Sequence, residues 1–219
     1  DPSRIFNVGG LSIDKISKKN LYKKKYLEKK LKIKFLKKNL LITYHPETLN
    51  NKKNNKNLDI LLKCLDKLND TYLIFTIPNA DYGNQKIIKK IKNFVSRKKN
   101  AKVFDSLGHI TYYSVIKQVD GMVGNSSSGL SEAPFLKKGT LNLGNRQEGR
   151  IQAKSVINCQ FKSSEINKGL KKLYSKKFID LAKKAQSPYG KNGVSKKIIS
   201  ILKMINLKNI KYKKFYDLS

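Results

Sequence analysis

Six short apolar runs constrain the fold. They are Leu40-Leu41-Ile42-Thr43-Tyr44, Tyr72-Leu73-Ile74-Phe75-Thr76, Lys102-Val103-Phe104, Gly121-Met122-Val123-Gly124, Thr140-Leu141-Asn142-Leu143 and Ser155-Val156-Ile157. They lack the polar–apolar alternation of a half-exposed strand, so each predicts a strand covered on both faces. Helical patterns near 54–69, 83–99, 110–118, 128–137 and 163–175 separate them. Strands joined by helical crossovers predict an α/β fold, a Rossmann-like doubly wound parallel sheet of about six strands. A chain of 219 residues that is 39% hydrophobic can fill one such core.

Two ends flank that core. Residues 17–38 hold eleven lysines and one glutamate, Glu28, and Leu21, Leu27, Leu31 and Phe35 give a helical stripe, which predicts a surface helix docked on the sheet. At the other end Gly190 and Gly193 precede a predicted helix over Val194–Met204 and a polar tail. The expected organisation is a connecting segment with the lysine-rich helix at 1–38, a Rossmann-like domain at 39–190, and a C-terminal helix and tail at 191–219. The first residue is Asp1 rather than methionine, so a piece of a longer chain is expected.

The formal charge of +33 first points to nucleic acid. Only Arg4, Arg97, Arg146 and Arg150 are arginine, however, and specific phosphate grip favours the arginine fork over lysine. The lysines read as filling for solvent-exposed positions, with no specific nucleic-acid partner. Cys64 and Cys159 match no metal spacing, and two histidines do not make a zinc site, so neither metal nor other cofactor is expected. Both cysteines read as core thiols of a reduced, cytoplasmic protein. No apolar run approaches a membrane span and no signal peptide is visible, so no membrane role is expected. A homo-oligomer is left open.

Ligands of parallel α/β sheets bind beyond the carboxyl ends of the strands. The stretch "GNSSSGLSEAP" (124–134) lies at such an end and carries no lysine. Two readings of it stand side by side: helix capping by Ser126 or Ser128, or an anion site built from Ser126, Ser127 and the Gly129 helix start. Glu132, one turn on, either offsets the helix dipole or holds ribose hydroxyls. Arg146 and Arg150 are half of the arginines, set beside Gly144 and Gly149, and point to phosphate contact or a surface salt bridge. His45, before a proline at the first strand's end, reads as a diphosphate contact or proton-transfer group. His109 reads as structural or near a base.

These stretches resemble the UDP-N-acetylglucosamine 2-epimerase family. The matching runs are "FNVGGLSIDKI" (6–16), "TYHPET" (43–48), "IPNADYG" (77–83), "VDGMVGNSSSGLSEAP" (119–134), "LNLGNRQEGR" (141–150) and "PYGKNGVSKKI" (188–198). An "HPET" run where non-hydrolysing members have an HRREN-like one favours the hydrolysing branch, which serves sialic- and legionaminic-type acid synthesis. The resemblance implies the second domain of a two-domain GT-B arrangement, with a missing N-terminal domain as partner and a UDP-sugar as substrate. It implies that Ser126, Ser127 and Gly129 bind diphosphate and that Glu132 holds ribose. Arg146 and a catalytic His45 would face the phosphates and sugar, Asn79 would lie near the substrate, and the backbone at Leu107 would meet the uracil. Asp81 is the nearby carboxylate considered as a base, and the chain alone is expected to be inactive. A GT-B glycosyltransferase half, a non-hydrolysing epimerase and a basic polyanion-binding module are the alternatives.

Overall fold

The computed structural model describes residues 2–17, 20–47, 51–78 and 84–206. A 3-10 turn, Pro2–Arg4, precedes α1 (Leu11–Ser17) and α2 (Lys24–Leu31). Then follow β1 (Lys38–Thr43), α3 (Asn51–Asp66), β2 (Thr71–Thr76), α4 (Asn84–Val95), β3 (Ala101–Phe104), α5 (His109–Gln118) and β4 (Gly121–Gly124). A second 3-10 turn, Ser127–Gly129, and α6 (Glu132–Phe135) lead to β5 (Gly139–Leu143) and β6 (Val156–Cys159). Helices α7 (Ser163–Leu173), α8 (Lys176–Lys184) and α9 (Val194–Met204) complete the described chain.

All six strands pair in parallel in the order β3-β2-β1-β4-β5-β6, the doubly wound α/β sheet that the apolar runs predict. The chain winds outward from β1 to β3, then returns through α5 to begin β4 on the other side of β1. That reversal leaves a crevice beyond the carboxyl ends of β1 and β4, where Thr43 pairs with Gly124. Alternate side chains of β1 feed opposite faces. Leu40 and Ile42 pack with Leu61 and Leu65 of α3, Ile91 of α4 and Leu170 of α7. Leu41 packs with Leu27 of α2 and Val115 and Ile116 of α5. Helices on both faces explain why the strands read as unbroken apolar runs. Gly124 lets β1 and β4 close up at the crevice: its φ is 134°, and a Cβ there would stand 1.9 Å from the Thr43 carbonyl oxygen.

Three expectations need correction. The lysine-rich stretch is not one helix over 17–38. Lys32, at φ 51°, ends α2 in a left-handed cap, and Glu28 Oε1 accepts the Phe35 N–H at 3.0 Å, which holds the exit extended. Leu27, Leu31 and Phe35 are buried all the same. The helix expected over 128–137 is instead the 3-10 turn plus the four-residue α6. Serine side chains compete there for backbone partners: Ser126 Oγ accepts the Ser128 N–H, and the Ser131 hydroxyl is shared between the Ser127 carbonyl and the Glu132 carboxylate. Helices α1 and α8 add to the elements expected; α8 begins where Ser175 Oγ caps the Phe178 N–H.

Candidate functional site

Asn125 organises the crevice. Its Oδ1 accepts the His45 N–H at 2.7 Å, and its Nδ2 donates to the His45 carbonyl at 2.8 Å. Its N–H donates to the Thr43 carbonyl at 3.2 Å. Its carbonyl accepts Gln147 Nε2 at 2.7 Å and Arg146 Nη1 at 3.1 Å. One fully buried residue thus ties together the ends of β1 and β4 and the loop after β5. His45, 6% exposed, is fixed there through its backbone.

The serine turn lies directly beyond. The N–H groups of Ser128, Gly129, Leu130 and Ser131 are consumed inside the turn, by Ser126 Oγ and the Ser126 and Ser127 carbonyls. The N–H groups of Ser126 and Ser127 have no acceptor among the described residues. Two adjacent open donors, two hydroxyls and the Arg146 guanidinium make an arrangement suited to an anion. Gly129 takes no such place through its own N–H, which bonds the Ser126 carbonyl. Its lack of a side chain serves packing, since a Cβ would meet Thr140 Cγ2 at 2.6 Å. Glu132 is buried and receives the Ser131 hydroxyl, so its carboxylate stands close behind the turn.

Tyr112 of α5 supports the serine turn from below. Burial foremost raises its phenol above the usual tyrosine value; the Ser128 hydroxyl opposes this, the Glu132 charge adds to it, and Thr43 and Ser126 oppose it further. It therefore stays a neutral hydroxyl that can both give and accept a hydrogen bond. Thr43 Oγ1 in turn meets Thr76 Oγ1 at 2.6 Å. Leu107 lines a cavity of about 500 Å³ with Gly108, Thr111, Tyr113 and Tyr22. His109 is exposed and stacks on Tyr113, with 6.3 Å between ring centres. Arg150 is exposed at the end of the Arg146 loop. Asn79 and Asp81 lie outside the described residues. A larger cavity of about 630 Å³ lies between α3 and α4, away from the strand ends, and is crossed by the Lys90–Asp59 and Lys98–Asp66 ion pairs.

The sequence points Ser126, Ser127, Glu132, Arg146 and His45 to one edge; in the structure His45 and Arg146 bond Asn125, which Ser126 and Ser127 follow in the chain, and Glu132 stands behind the serine turn against Ser131. The structure adds Asn125, Gln147 and Tyr112 to these residues. Asn125 stands inside the quoted hydroxyl stretch, where its amide was the available signal. Tyr112 reads as one more apolar position of α5.

The model of the UDP-N-acetylglucosamine 2-epimerase family matches residues 1–203. The chain belongs to that family. Among curated relatives, the GDP/UDP-N,N'-diacetylbacillosamine 2-epimerase (hydrolyzing) of Campylobacter jejuni is 40% identical over 220 residues, covering 100% of this chain and 57% of the relative. The polysialic acid biosynthesis protein P7 of Escherichia coli is 35% identical, covering 99% of this chain and 56% of its own length. This epimerase-family chain therefore spans little more than half the length of these relatives. Its fold matches the Methanocaldococcus jannaschii UDP-GlcNAc 2-epimerase solved with UDP-GlcNAc and UDP, at TM-score 0.70 and 19% identity, over 93% of this chain and 56% of that one.

Proposed function

We propose that this chain is the UDP-binding half of a hydrolysing sugar-nucleotide 2-epimerase. The reading rests on one observation above all: the open Ser126 and Ser127 N–H groups, Arg146 and His45 converge where the sheet order reverses. In this reading the diphosphate sits on the serine turn, Glu132 holds the ribose, and the base lies toward Leu107. Asn79 would lie near the sugar. Residues 39–190 form the nucleotide domain, and 1–38 hold the segment toward a preceding domain together with the lysine-rich α2 that docks on the sheet. Ile5, Phe6 and Leu11, and on α9 Ile199, Leu202 and Met204, are exposed in this chain, as befits a surface covered by further protein.

The reaction removes the proton from carbon 2 of the 2-acetamido sugar and breaks the bond from carbon 1 to the diphosphate. UDP leaves and a 2-acetamidoglucal remains. Water then adds across that double bond, its hydroxyl to carbon 1 and a proton to carbon 2 from the face that inverts it. This half of the protein supports the departing diphosphate. Donors already in place need not reorganise as charge develops, and one such donor is worth about 3–4 kcal/mol of barrier. The proton-abstracting group belongs to the other half in this account. The Campylobacter relative's name favours a diacetamido sugar as the natural substrate, with N-acetylglucosamine as the simpler case. The product would feed the synthesis of a sialic- or legionaminic-type acid in the cytoplasm.

The test uses the protein carrying the length that its relatives possess. Each UDP-sugar is supplied in turn, and NMR follows UDP and free sugar. Release of both, with inverted carbon 2, is expected. Sugar that stays nucleotide-linked, or is transferred to an acceptor, would replace this reading with a non-hydrolysing epimerase or a glycosyltransferase.

A further inference from the structure

The loop after β5 has a second side. A cavity of about 420 Å³ opens between the ends of β5 and β6, lined by the carboxamides of Asn142, Asn145, Gln152, Asn158 and Gln160. Glu148 and Glu165 complete its polar wall. No lysine or arginine lines it, in a chain that holds 48 of them; Lys162 reaches Glu165 from outside the lining, at 3.3 Å.

The amides are wired together. Asn142 Nδ2 donates to Asn158 Oδ1, Asn158 Nδ2 donates to Gln152 Oε1, and Gln160 Nε2 donates to Asn145 Oδ1, each at 2.8 Å. A carboxamide offers two N–H groups and two lone pairs, so these bonds leave donors and acceptors over. Asn142 is 3% exposed, and its Oδ1 is buried with no partner among the described residues. Such an orphan acceptor calls for a donor. Cys159 in the wall is held as a neutral thiol: burial first, then the charge of Glu165 and the neighbouring Cys64, push it up to about 12. The wall has no cation to anchor an anion and two carboxylates to repel one.

We propose that this cavity binds a neutral pyranose sugar through its vicinal hydroxyls. Each sugar hydroxyl both gives and accepts, which matches the alternating ends of neighbouring carboxamides. The volume falls within the range of small-ligand pockets. Gly144 and Gly149 also line the cavity, and the loop between them carries Arg146 and Gln147, which hold the Asn125 carbonyl. A bound sugar therefore touches the loop that serves the crevice. That coupling rests on the UDP reading, whereas sugar binding itself does not.

The experiment is an amide-shift NMR titration of the 219-residue chain with methyl glucoside and, separately, methyl N-acetylglucosaminide. Saturable shifts are expected at the side-chain amides of Asn158, Gln152 and Gln160, with a dissociation constant of about 1–10 mM. Tighter binding of the acetamido probe would assign the ligand to that class, and equal binding would assign recognition to the hydroxyls alone. Asn158→Leu and Gln152→Ala should each weaken binding about tenfold, while direct titration with UDP is unchanged. Spectra with parental dispersion confirm that both variants fold. The proposal is overturned if neither probe saturates by about 50 mM, or if both variants bind like the parent. It is equally overturned if the shifts fall on Ser126, Ser127 and Arg146 and UDP displaces the sugar.

Discussion

Asn125 and Ser127 sit two positions apart and do opposite work. The Asn125 side chain satisfies both backbone groups of His45, so Asn125→Ala orphans a buried donor and a buried acceptor. At about 1–3 kcal/mol for each orphan, a loss of about 2–6 kcal/mol is expected in urea unfolding, along with weaker UDP binding. Ser127→Ala removes an exposed hydroxyl, and stability should not move. UDP affinity should fall by about 1 kcal/mol, and by more for Arg146→Ala, where a charged fork is lost. Calorimetry beside urea melts separates the two classes; equal UDP affinity in the parent and both variants would reject the assignment. Much at this scale was legible. A lysine-free hydroxyl run and two clustered arginines stand out in so basic a chain. The Asn125 amide stands in the same run, but its role depends on how close β1 comes to β4, which is a property of the sheet and not of the run. Tyr112 was hidden for a similar reason, since α5 alone gives no sign that this position meets the serine turn.

Gly193 is the N-cap of helix α9 and has no side chain with which to cap it. Asp14 of α1 does so instead: Oδ1 accepts the Gly193 and Val194 N–H groups at 2.6 and 3.0 Å, and Oδ2 accepts the Ser195 N–H and hydroxyl at 2.7 and 2.6 Å. A carboxylate among the first N–H groups of a helix is favoured by their partial positive charge. The Ser195 hydroxyl foremost, then its N–H, holds the Asp14 carboxyl far below the usual carboxylate range against the effect of burial; the Gly193 and Val194 bonds add to this. A depressed folded-state value means that the stabilisation is whole above the unfolded value of about 4 and drains away as pH falls below it. Asp14→Asn should therefore be less stable than the parent at pH 7 and pH 5, and the gap should narrow at pH 3. Urea melts at the three values check it, and a constant gap would contradict the role of the charge. Gly124→Ala should act at the same scale by forcing β1 and β4 apart at the crevice, with loss of the cooperative transition as the expected result. The edge strands β3 and β6 are only partly buried, whereas the four inner strands could be read from their apolar runs because both faces are covered there. The breaks in α2 and α6 could not, since they depend on one left-handed lysine and on serine side chains that bond their own backbone.

Across the whole molecule the charge of +33 and the crevice make rival claims. Lysines spread over many exposed positions attract any polyanion, and that attraction falls steeply with salt. The crevice offers few charges but fixed geometry, so its binding should survive salt far better. No helix among the described residues is long and apolar enough to cross a membrane, and no cluster of metal-binding side chains occurs among them. The two claims separate in one measurement, an amide-shift map of the chain titrated with UDP at low and at about 0.3 M salt, where the Debye length is well under 10 Å. Saturable shifts are expected at Ser126, Ser127, Glu132, Arg146 and His45 that persist at the higher salt, with the lysines of α2 and α8 unmoved. Shifts scattered over the lysine surface that vanish as salt is raised, with the serine turn silent, would contradict binding at the crevice.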